Sequence, residues 1–221
     1  MKSIGIICEY NPFHNGHIYH INKIKEMFPD SVIILVMSGN FTQRGDASII
    51  NKWNKTKIAL NHNIDLVVEL PFIFTNQSAD TFAFGACSIL NYLKVDYLVF
   101  GSESDNIDYI KNIVNIEDDK KYQKKVKELL DNGINYPTAL SKALKDFNIN
   151  LSDSSNDLLG ISYVKALKKL NSKIIPITIK RTNNYNDKTL TKYITSATSI
   201  RENINKKRIK KYVPKDTYKC L

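Results

Sequence analysis

The chain has 221 residues, enough for one large domain or one domain with an appendage, and its apolar fraction of 43% is ordinary for a globular protein. No apolar run reaches the length of a membrane span, and residues 1–3 lead straight into an apolar segment, so we expect neither an anchor nor a signal peptide. Three cysteines at unrelated spacings, Cys8, Cys87 and Cys220, favour reduced thiols in the cytoplasm over a disulfide framework.

The net charge of +10 is unevenly distributed along the chain. Residues 1–110 carry 8 Lys and Arg against 11 Asp and Glu, whereas residues 111–221 carry 24 against 11. Clustered positive charge of this kind favours a polyanion partner. The alternative is a lysine-rich composition whose side chains only solvate the surface.

The first predicted elements are a strand, a tight turn and a helix. Residues 2–8 form an almost unbroken apolar run, typical of a buried strand in a parallel sheet. Asn11-Pro12 ends that strand, because proline has no amide hydrogen and restricts the residue before it. From about Gly16 onward, apolar residues recur at helical spacing, at Ile18, Ile21, Ile24 and Met27.

The turn carries two histidines, His14 and His17, where the strand gives way to the helix. The start of a helix offers free amide hydrogens and positive dipole character, which suit a phosphate group. Imidazoles there can donate to phosphoryl oxygens, and a glycine lets a ligand approach the main chain closely. The alternative is a pair of metal ligands, but no third ligand follows at a zinc-like spacing. The combination favours a nucleotide site.

Strands and helices then alternate along the chain. Apolar runs predict strands at 31–37, 65–70, 96–100 and 173–179, and helical patterns cover 51–61 and 79–92. In the helix at 51–61, the expected inner residues are Trp53, Ile58 and Leu60, and the expected outer ones are Lys52, Lys55 and Lys57. The alternation predicts an α/β fold with a doubly wound parallel sheet of about five strands, covered by helices.

Such a sheet would collect ligands at the carboxyl ends of its strands. Four polar or glycine positions fall at or just after predicted strand ends: His14, Arg44, Glu69 and Gly101. We therefore expect these four to share a site, with Arg44 as a clamp for phosphate or RNA.

Residues 105–170 change character, with three polar-faced helices predicted at 118–132, 137–147 and 156–170. Residues 152–157 offer N-cap candidates for the last of these helices. Residues 195–201 are rich in hydroxyl groups and precede a short helix. Those hydroxyls can cap the helix or bind phosphate, and the sequence leaves both open.

Together these segments resemble the tRNA(Met) cytidine acetate ligase family, within the HxGH nucleotidyltransferase superfamily. The matching segments cover nearly the whole chain: CEYNPFHNGH at 8–17, MSGNFTQRG at 37–45, DLVVELP at 65–71, FGSE at 100–103, NDLLGI at 156–161, IKR at 179–181 and SATSIR at 196–201. The combination is far more specific than HxGH alone.

The resemblance implies an enzyme that uses ATP and Mg²⁺ to convert acetate into acetyl-adenylate and then acetylates N4 of the wobble cytidine in elongator tRNA(Met). It implies His14 and His17 as catalytic residues. The nucleotide-binding turn maps onto Ile7, Cys8, Glu9, Tyr10, Asn11, Pro12, Phe13, His14, Asn15, Gly16, His17, Ile18, Tyr19 and His20. Further nucleotide contacts map onto Gly101, Asn156 and Arg181. No metal ligand is implied.

Members of this family continue well past residue 221 into a region that contacts tRNA. We therefore expect a catalytic domain at 1–195 and, at 196–221, a basic segment that begins a tRNA-binding region absent here. Two other functions stay open: a small-molecule adenylyltransferase of the same fold, and a non-catalytic module that binds ATP or RNA. The intact His14 and His17 argue against the second of these.

Overall fold

A computed structural model describes residues 1–151, 154–181 and 194–221. Its five strands are β1 (Ser3–Cys8), β2 (Val32–Ser38), β3 (Leu66–Leu70), β4 (Tyr97–Ser102) and β5 (Ile175–Lys180). They form one sheet in the order β3-β2-β1-β4-β5, and every pair of neighbours is parallel. The predicted doubly wound α/β fold is confirmed.

The helices of the described residues cover both faces of the sheet. They are α1 (Asn15–Met27), α2 (Lys52–Asn61), α3 (Phe72–Thr75), α4 (Ala79–Tyr92), α5 (Ile107–Ile116), α6 (Lys120–Asp131), α7 (Tyr136–Lys145), α8 (Ser155–Lys169), α9 (Ala197–Glu202) and α10 (Lys215–Tyr218), with a 3₁₀ helix at Lys207–Lys211. On one face, α1 and α2 bury Ile21, Ile24 and Ile58 against the sheet. On the other face, α4, α5 and α8 build the larger apolar core.

Strand β1 lies in the middle of the sheet, and the chain winds outward from it in both directions. The first crossovers lead to β2 and β3, and the chain then crosses to β4 and β5 on the other side. The strand order therefore reverses between β1 and β4. In open parallel sheets this reversal leaves a crevice at the carboxyl ends of the strands, where ligands bind.

The prediction that Lys55 lies on the outer side of α2 is wrong. Its side chain is 1% exposed, and its ammonium group donates to the main-chain oxygens of Glu9 and Ser38, each at 2.9 Å. Trp53 and Leu60, expected inside, are 75% and 47% exposed. The helix is therefore rotated from the expected orientation, because two carbonyl groups at the strand ends satisfy a buried amine.

Two further differences concern the segment between β4 and β5. Helix α5 is an additional element, begun by Asn106, whose side chain accepts from the amide of Tyr109 at 2.9 Å. Helix α8 is not polar-faced, because eight of its residues are buried, among them Asp157 and Tyr163. Its N-cap is Ser154, and Ser152 and Asp153 lie outside the described residues.

The basic segment after residue 195 packs next to the first turn of α1. The amide of Asn15 donates to the main-chain oxygen of Tyr212 at 2.9 Å, and Asp216 lies 3.1 Å from the ring of His62. Around the buried Ile209, five cationic side chains are exposed: Lys206, Lys207, Arg208, Lys210 and Lys211. The division into domains at residue 195 stays a prediction.

Candidate active site

The turn after β1 is held from two sides. The side chain of Asn11 accepts from the amide of Ile49 at 2.9 Å. The main-chain oxygen of Asn11 accepts from Arg201 at 2.6 Å, and its peptide bond to Pro12 is cis. Residues 190 positions apart in the sequence thus fix the same turn.

His14 and His17 cap the first turn of α1 reciprocally. Nδ1 of His14 accepts from the amide of Gly16 at 3.0 Å, and Nδ1 of His17 accepts from the amide of His14 at 3.2 Å. A main-chain amide can only donate, so both Nδ1 atoms are unprotonated acceptors. Each neutral ring therefore carries its proton on Nε2, where it can donate to a ligand.

Gly16 makes this arrangement possible. A Cβ at residue 16 would lie 2.7 Å from Cε1 and 2.9 Å from Nδ1 of His14. Real Cβ atoms do not approach so closely, so any other residue would displace the capping ring. The glycine of the HxGH pattern thus leaves room for the capping imidazole, in addition to the close approach of a ligand expected from the sequence.

The electrostatic environment keeps these rings neutral. Burial, together with the positive charges of Arg181 and Arg201, lowers the pKa of His14 to about 3. Burial and the neighbouring His14 lower the pKa of His17 well below its ordinary value. Burial also lowers the pKa of His20, to about 4. Near neutral pH the three are uncharged hydrogen-bonding groups.

A cavity of about 390 Å³ opens above this turn, at the carboxyl ends of β1 and β4. It lies where the strand order reverses, as expected for a parallel sheet. Thirteen of the residues predicted to bind the nucleotide line it: Ile7, Cys8, Glu9, Tyr10, Asn11, His14, Gly16, His17, Tyr19, His20, Gly101, Asn156 and Arg181.

The other four predicted residues, Pro12, Phe13, Asn15 and Ile18, are not part of that lining. Pro12 and Phe13 are buried, and the ring of Phe13 stacks on that of His17 with centroids 5.5 Å apart. Asn15 donates to the main-chain oxygen of Lys211 at 2.9 Å, and Ile18 packs in the core beneath α1. Their side chains support the turn, and their predicted contacts with a nucleotide stay a prediction.

Gly101, Asn156 and Arg181 come from three distant parts of the chain and meet around Glu103. The carboxylate of Glu103 accepts from Nδ2 of Asn156 at 2.6 Å and lies 3.8 Å from Nε of Arg181. A Cβ at Gly101 would lie 3.1 Å from Cγ of Arg181, so the arginine stem crosses the glycine closely. The predicted trio forms one wall of the cavity, on the side of β4 and β5.

Asp157 holds that wall in place, although the sequence marked it only as an N-cap candidate and as part of a matched segment. It is 1% exposed and accepts from the amides of Glu103 and Ser104, each at 3.1 Å. It also accepts from the hydroxyls of Ser102 and Ser154. A carboxylate in the first turn of α8 thereby fixes the loop that follows β4.

Of the four residues expected to share a site, His14, Arg44 and Gly101 line the cavity and Glu69 does not. Arg44 and its neighbour Gln43 line the cavity on the side of β2. Glu69 instead pairs with Lys52, whose Nζ lies 2.8 Å from Oε2, and is absent from the lining. Glu9 links the turn after β1 to the loop after β2, since its carboxylate accepts from the amide of Gln43 at 2.6 Å.

Residues near the C-terminus complete the cavity. Thr195, Ser196 and Arg201 line it, and Ser196 caps α9 by accepting from the amide of Ser199 at 3.0 Å. This hydroxyl therefore caps the helix, as one of the two interpretations held. The position of Arg201 in the cavity lining was not predicted. Its only signal in the sequence is that it ends the matched segment at 196–201.

Four polar atoms of the lining residues are buried without a hydrogen-bond partner among the described residues. They are Oη of Tyr10, Nε2 of His20, Oγ of Ser155 and Nε of Arg181. Buried polar atoms are nearly always hydrogen-bonded, so unsatisfied ones at a cavity indicate a polar ligand. The described residues contain no cluster of three metal-ligating side chains, and Glu9 is the one carboxylate in the lining.

Comparison with known proteins identifies the family. The family model described as HIGH Nucleotidyl Transferase matches residues 1–221. The chain belongs to this family. Three residues of its histidine–glycine–histidine turn, His14, Gly16 and His17, line the cavity.

Relatives within the family carry a more specific name. The chain is 49% identical over 216 residues to tRNA(Met) cytidine acetate ligase of Acetivibrio thermocellus, covering 93% of this chain and 52% of that protein. It is 47% identical over 235 residues to the ligase of the same name from Clostridium novyi, covering 100% and 59%. The chain thus spans a little over half the length of these relatives.

Solved structures agree with the fold. Thermotoga maritima TmcAL in its apo form superposes with a TM-score of 0.93 at 37% identity, covering 100% of this chain and 56% of that one. The same protein bound with alpha-thio ATP superposes with a TM-score of 0.89, covering 100% and 55%. No helix of the described residues is long and apolar enough to span a membrane.

Proposed function

We propose that this chain uses ATP to activate acetate as acetyl-adenylate, the first half of the acetylation of cytidine in tRNA(Met). The observation that carries the proposal is the pair of neutral imidazoles at the start of α1, both able to donate from Nε2 beside a cavity at the strand reversal. The names of the relatives and the alpha-thio ATP bound to a similar structure support the same substrates.

In the adenylation step a carboxylate oxygen of acetate attacks the α-phosphorus of ATP. An oxygen–phosphorus bond forms to acetate, the bond to the bridging oxygen breaks, and pyrophosphate leaves with its electron pair. Negative charge grows on the non-bridging oxygens, and the Nε2–H groups of His14 and His17 and the amides of α1 stabilise it. Acetate is already ionised near neutral pH, so this step needs no general base.

Different walls of the cavity are assigned to different parts of the nucleotide. We assign the nucleoside to the side of β4 and β5, where Gly101, Asn156 and Arg181 meet. The polyphosphate lies towards Arg201, whose guanidinium adjoins the turn at Asn11. This placement gives the positive charge of Arg201 an anionic partner.

For Mg²⁺, the donor set offers no cage of protein carboxylates among the described lining residues. Mg²⁺ retains waters and is commonly held by substrate phosphates. We therefore place the ion on the phosphates of ATP and assign it no ligand from this chain.

The second step transfers the acetyl group to RNA. The N4 amine of the wobble cytidine attacks the acyl carbon, AMP leaves, and the amine loses a proton. The cytidine must leave its stack to reach the cavity, as in other base-modifying enzymes. We assign binding of the RNA backbone to the exposed cations at 206–211. We also propose the cytoplasm as the location of the reaction, because its proposed substrate is a tRNA.

The test is exchange of labelled pyrophosphate into ATP by residues 1–221, with acetate, with a phosphorylated small molecule, or with neither. We expect exchange only with acetate, and acetyl-adenylate in the quenched reaction. Exchange that requires the phosphate ester instead would identify a small-molecule adenylyltransferase. ATP binding without exchange under any condition would leave a non-catalytic module.

A further inference from the structure

One part of the cavity wall has no role in nucleotide binding as assigned above. It consists of Gln43 and Arg44, which follow β2, and of Ala79 and Phe82 in the first turns of α4. Because β2 lies on one side of β1 and β4 on the other, Gln43 and Arg44 lie across the histidine turn from Gly101 and Arg181. Helix α4 packs beside α8, which carries Asn156.

The direction of attack also selects this wall. An incoming nucleophile approaches the α-phosphorus opposite the leaving pyrophosphate. We have assigned the polyphosphate towards Arg201, which adjoins the turn next to α1. Helix α4 packs on the other face of the sheet from α1, so its first turns lie away from the assigned polyphosphate, and we place the entering acid there.

The chemistry of the wall suits a short carboxylic acid. Arg44 supplies a positive charge for the carboxylate, and the methyl group of Ala79 and the ring of Phe82 supply an apolar surface. The ring of Phe82 is 2% exposed, so it occupies a fixed place in the core. Apolar contact with so small a surface fits one methyl group better than a longer alkyl chain.

The wall is also held firmly in place. Helix α4 packs along α8 and buries Ala83, Ala86 and Cys87 between them. A Cβ at Gly85 would lie 2.4 Å from the ring of Phe74, so α4 is docked closely on α3 as well. A helix fixed on two sides cannot move aside for a larger acid.

We propose that Ala79 and Phe82 form the acyl subsite and limit the substrate to an acid of the size of acetate. This assignment rests on the proposed function, since it presumes a carboxylate substrate. It adds specificity-determining residues that carry no ionisable group, and it predicts how selectivity changes when they change.

The experiment measures pyrophosphate exchange with acetate, propionate and butyrate for the wild-type chain and for Phe82→Leu, Ala79→Val and Phe84→Leu. Phe84 is the matched control: it is on the same helix, lies outside the cavity lining, and has Lys169 Nζ 5.0 Å from its ring centroid. ATP binding is measured for every variant, which also reports folding.

The wild-type chain is expected to favour acetate over propionate in kcat/KM by about tenfold or more, the usual scale for one methylene group. Phe82→Leu makes room and is expected to shift this ratio towards propionate by about tenfold. Ala79→Val removes room and is expected to raise the KM for acetate while leaving ATP binding unchanged. Phe84→Leu is expected to keep the wild-type ratio.

If Phe82→Leu and Ala79→Val bind ATP and keep the wild-type acid selectivity and KM for acetate, the acyl subsite is elsewhere while the proposed function stands. Ala79 is a half-buried position in the first turn of a helix, so its valine variant gives an answer even where Phe82→Leu fails to fold. Wild-type chain that exchanges pyrophosphate with no carboxylate would overturn both assignments.

Discussion

The ammonium group of Lys55 lies 2.9 Å from the main-chain oxygen of Glu9, and so ties helix α2 to the start of the nucleotide turn. The same group donates to Ser38 at the end of β2. Burial lowers its pKa to about 8. One side chain thus joins the carboxyl ends of the two strands that border the cavity on that side.

Replacing Lys55 by methionine removes the ammonium group and both of its hydrogen bonds. The main-chain oxygens of Glu9 and Ser38 then lose this donor. We expect the free energy of unfolding to fall by about 2–6 kcal/mol, since two buried carbonyl groups lose their donor and each unsatisfied one costs about 1–3 kcal/mol. Chemical denaturation measures the change. Lys57→Met is the control, because Lys57 is exposed on the same helix and should change stability by less than about 0.5 kcal/mol. Equal effects of the two substitutions would contradict the role of Lys55.

Buried neutral histidine gives the apo protein a specific pH dependence. His14 has a pKa of about 3 when folded and an ordinary value near 6.5 when unfolded. Between these values the unfolded chain binds more protons, so stability is complete above about pH 6.5 and falls as the pH decreases.

The matched variant is His14→Asn, which keeps a capping acceptor for the amide of Gly16 and removes the titrating ring. We expect its unfolding free energy, measured by denaturant titration from pH 7 to pH 4.5, to fall less steeply than that of the wild-type chain. The difference in slope should approach about 1.4 kcal/mol per pH unit, the value for one proton. Parallel slopes would mean that His14 is not held neutral.

The basic segment is expected to contribute to RNA binding through salt-sensitive phosphate contacts. Changing Lys206, Lys207, Arg208, Lys210 and Lys211 to glutamine should reduce the slope of log affinity against log salt by roughly three, while ATP affinity stays the same. Filter binding or calorimetry over a salt series measures the slope.

A control variant with the same loss of charge elsewhere in the chain shows whether the position of the positive charges matters or only their number. It changes five lysines of α6, which contributes no residue to the cavity lining: Lys120, Lys121, Lys124, Lys125 and Lys127. The RNA-surface account predicts a clearly smaller effect from this variant. Similar effects from both sets would favour the view that the lysines only solvate the surface.

Much of the fold could be predicted from local patterns. Each strand is an apolar run that ends at a turn signal, so the order of strands and helices followed directly. Helix α5 also has a sequence signature, with Asn106 as a cap and Ile107, Ile110 and Ile113 at helical spacing, which the predicted elements do not include. The orientation of α2 could not be predicted, because the acceptors of Lys55 are main-chain oxygens that no residue type reveals.

The site residues likewise fall into those that the sequence indicates and those that only the structure shows. The histidine turn was found because residue types and spacing mark it, and Gly101, Asn156 and Arg181 were found through the family resemblance. Asp157 acts through contacts with Glu103 and Ser104, more than 50 positions away, which a single sequence does not display. Ala79 and Phe82 have no ionisable or nucleophilic group, so only their position in the cavity lining points to a role.

The central claim is that His17 stabilises the transferring phosphoryl group by donating from Nε2. Its most direct test is the single-turnover rate of acetyl-adenylate formation by the wild-type chain and by His17→Asn. Asparagine keeps an acceptor for the amide of His14 and lacks the distal donor, so the fold and ATP affinity should persist. We predict a rate at least about 100-fold lower, the scale of a lost oxyanion-type donor. A folded variant that binds ATP and forms acetyl-adenylate near the wild-type rate would contradict the claim.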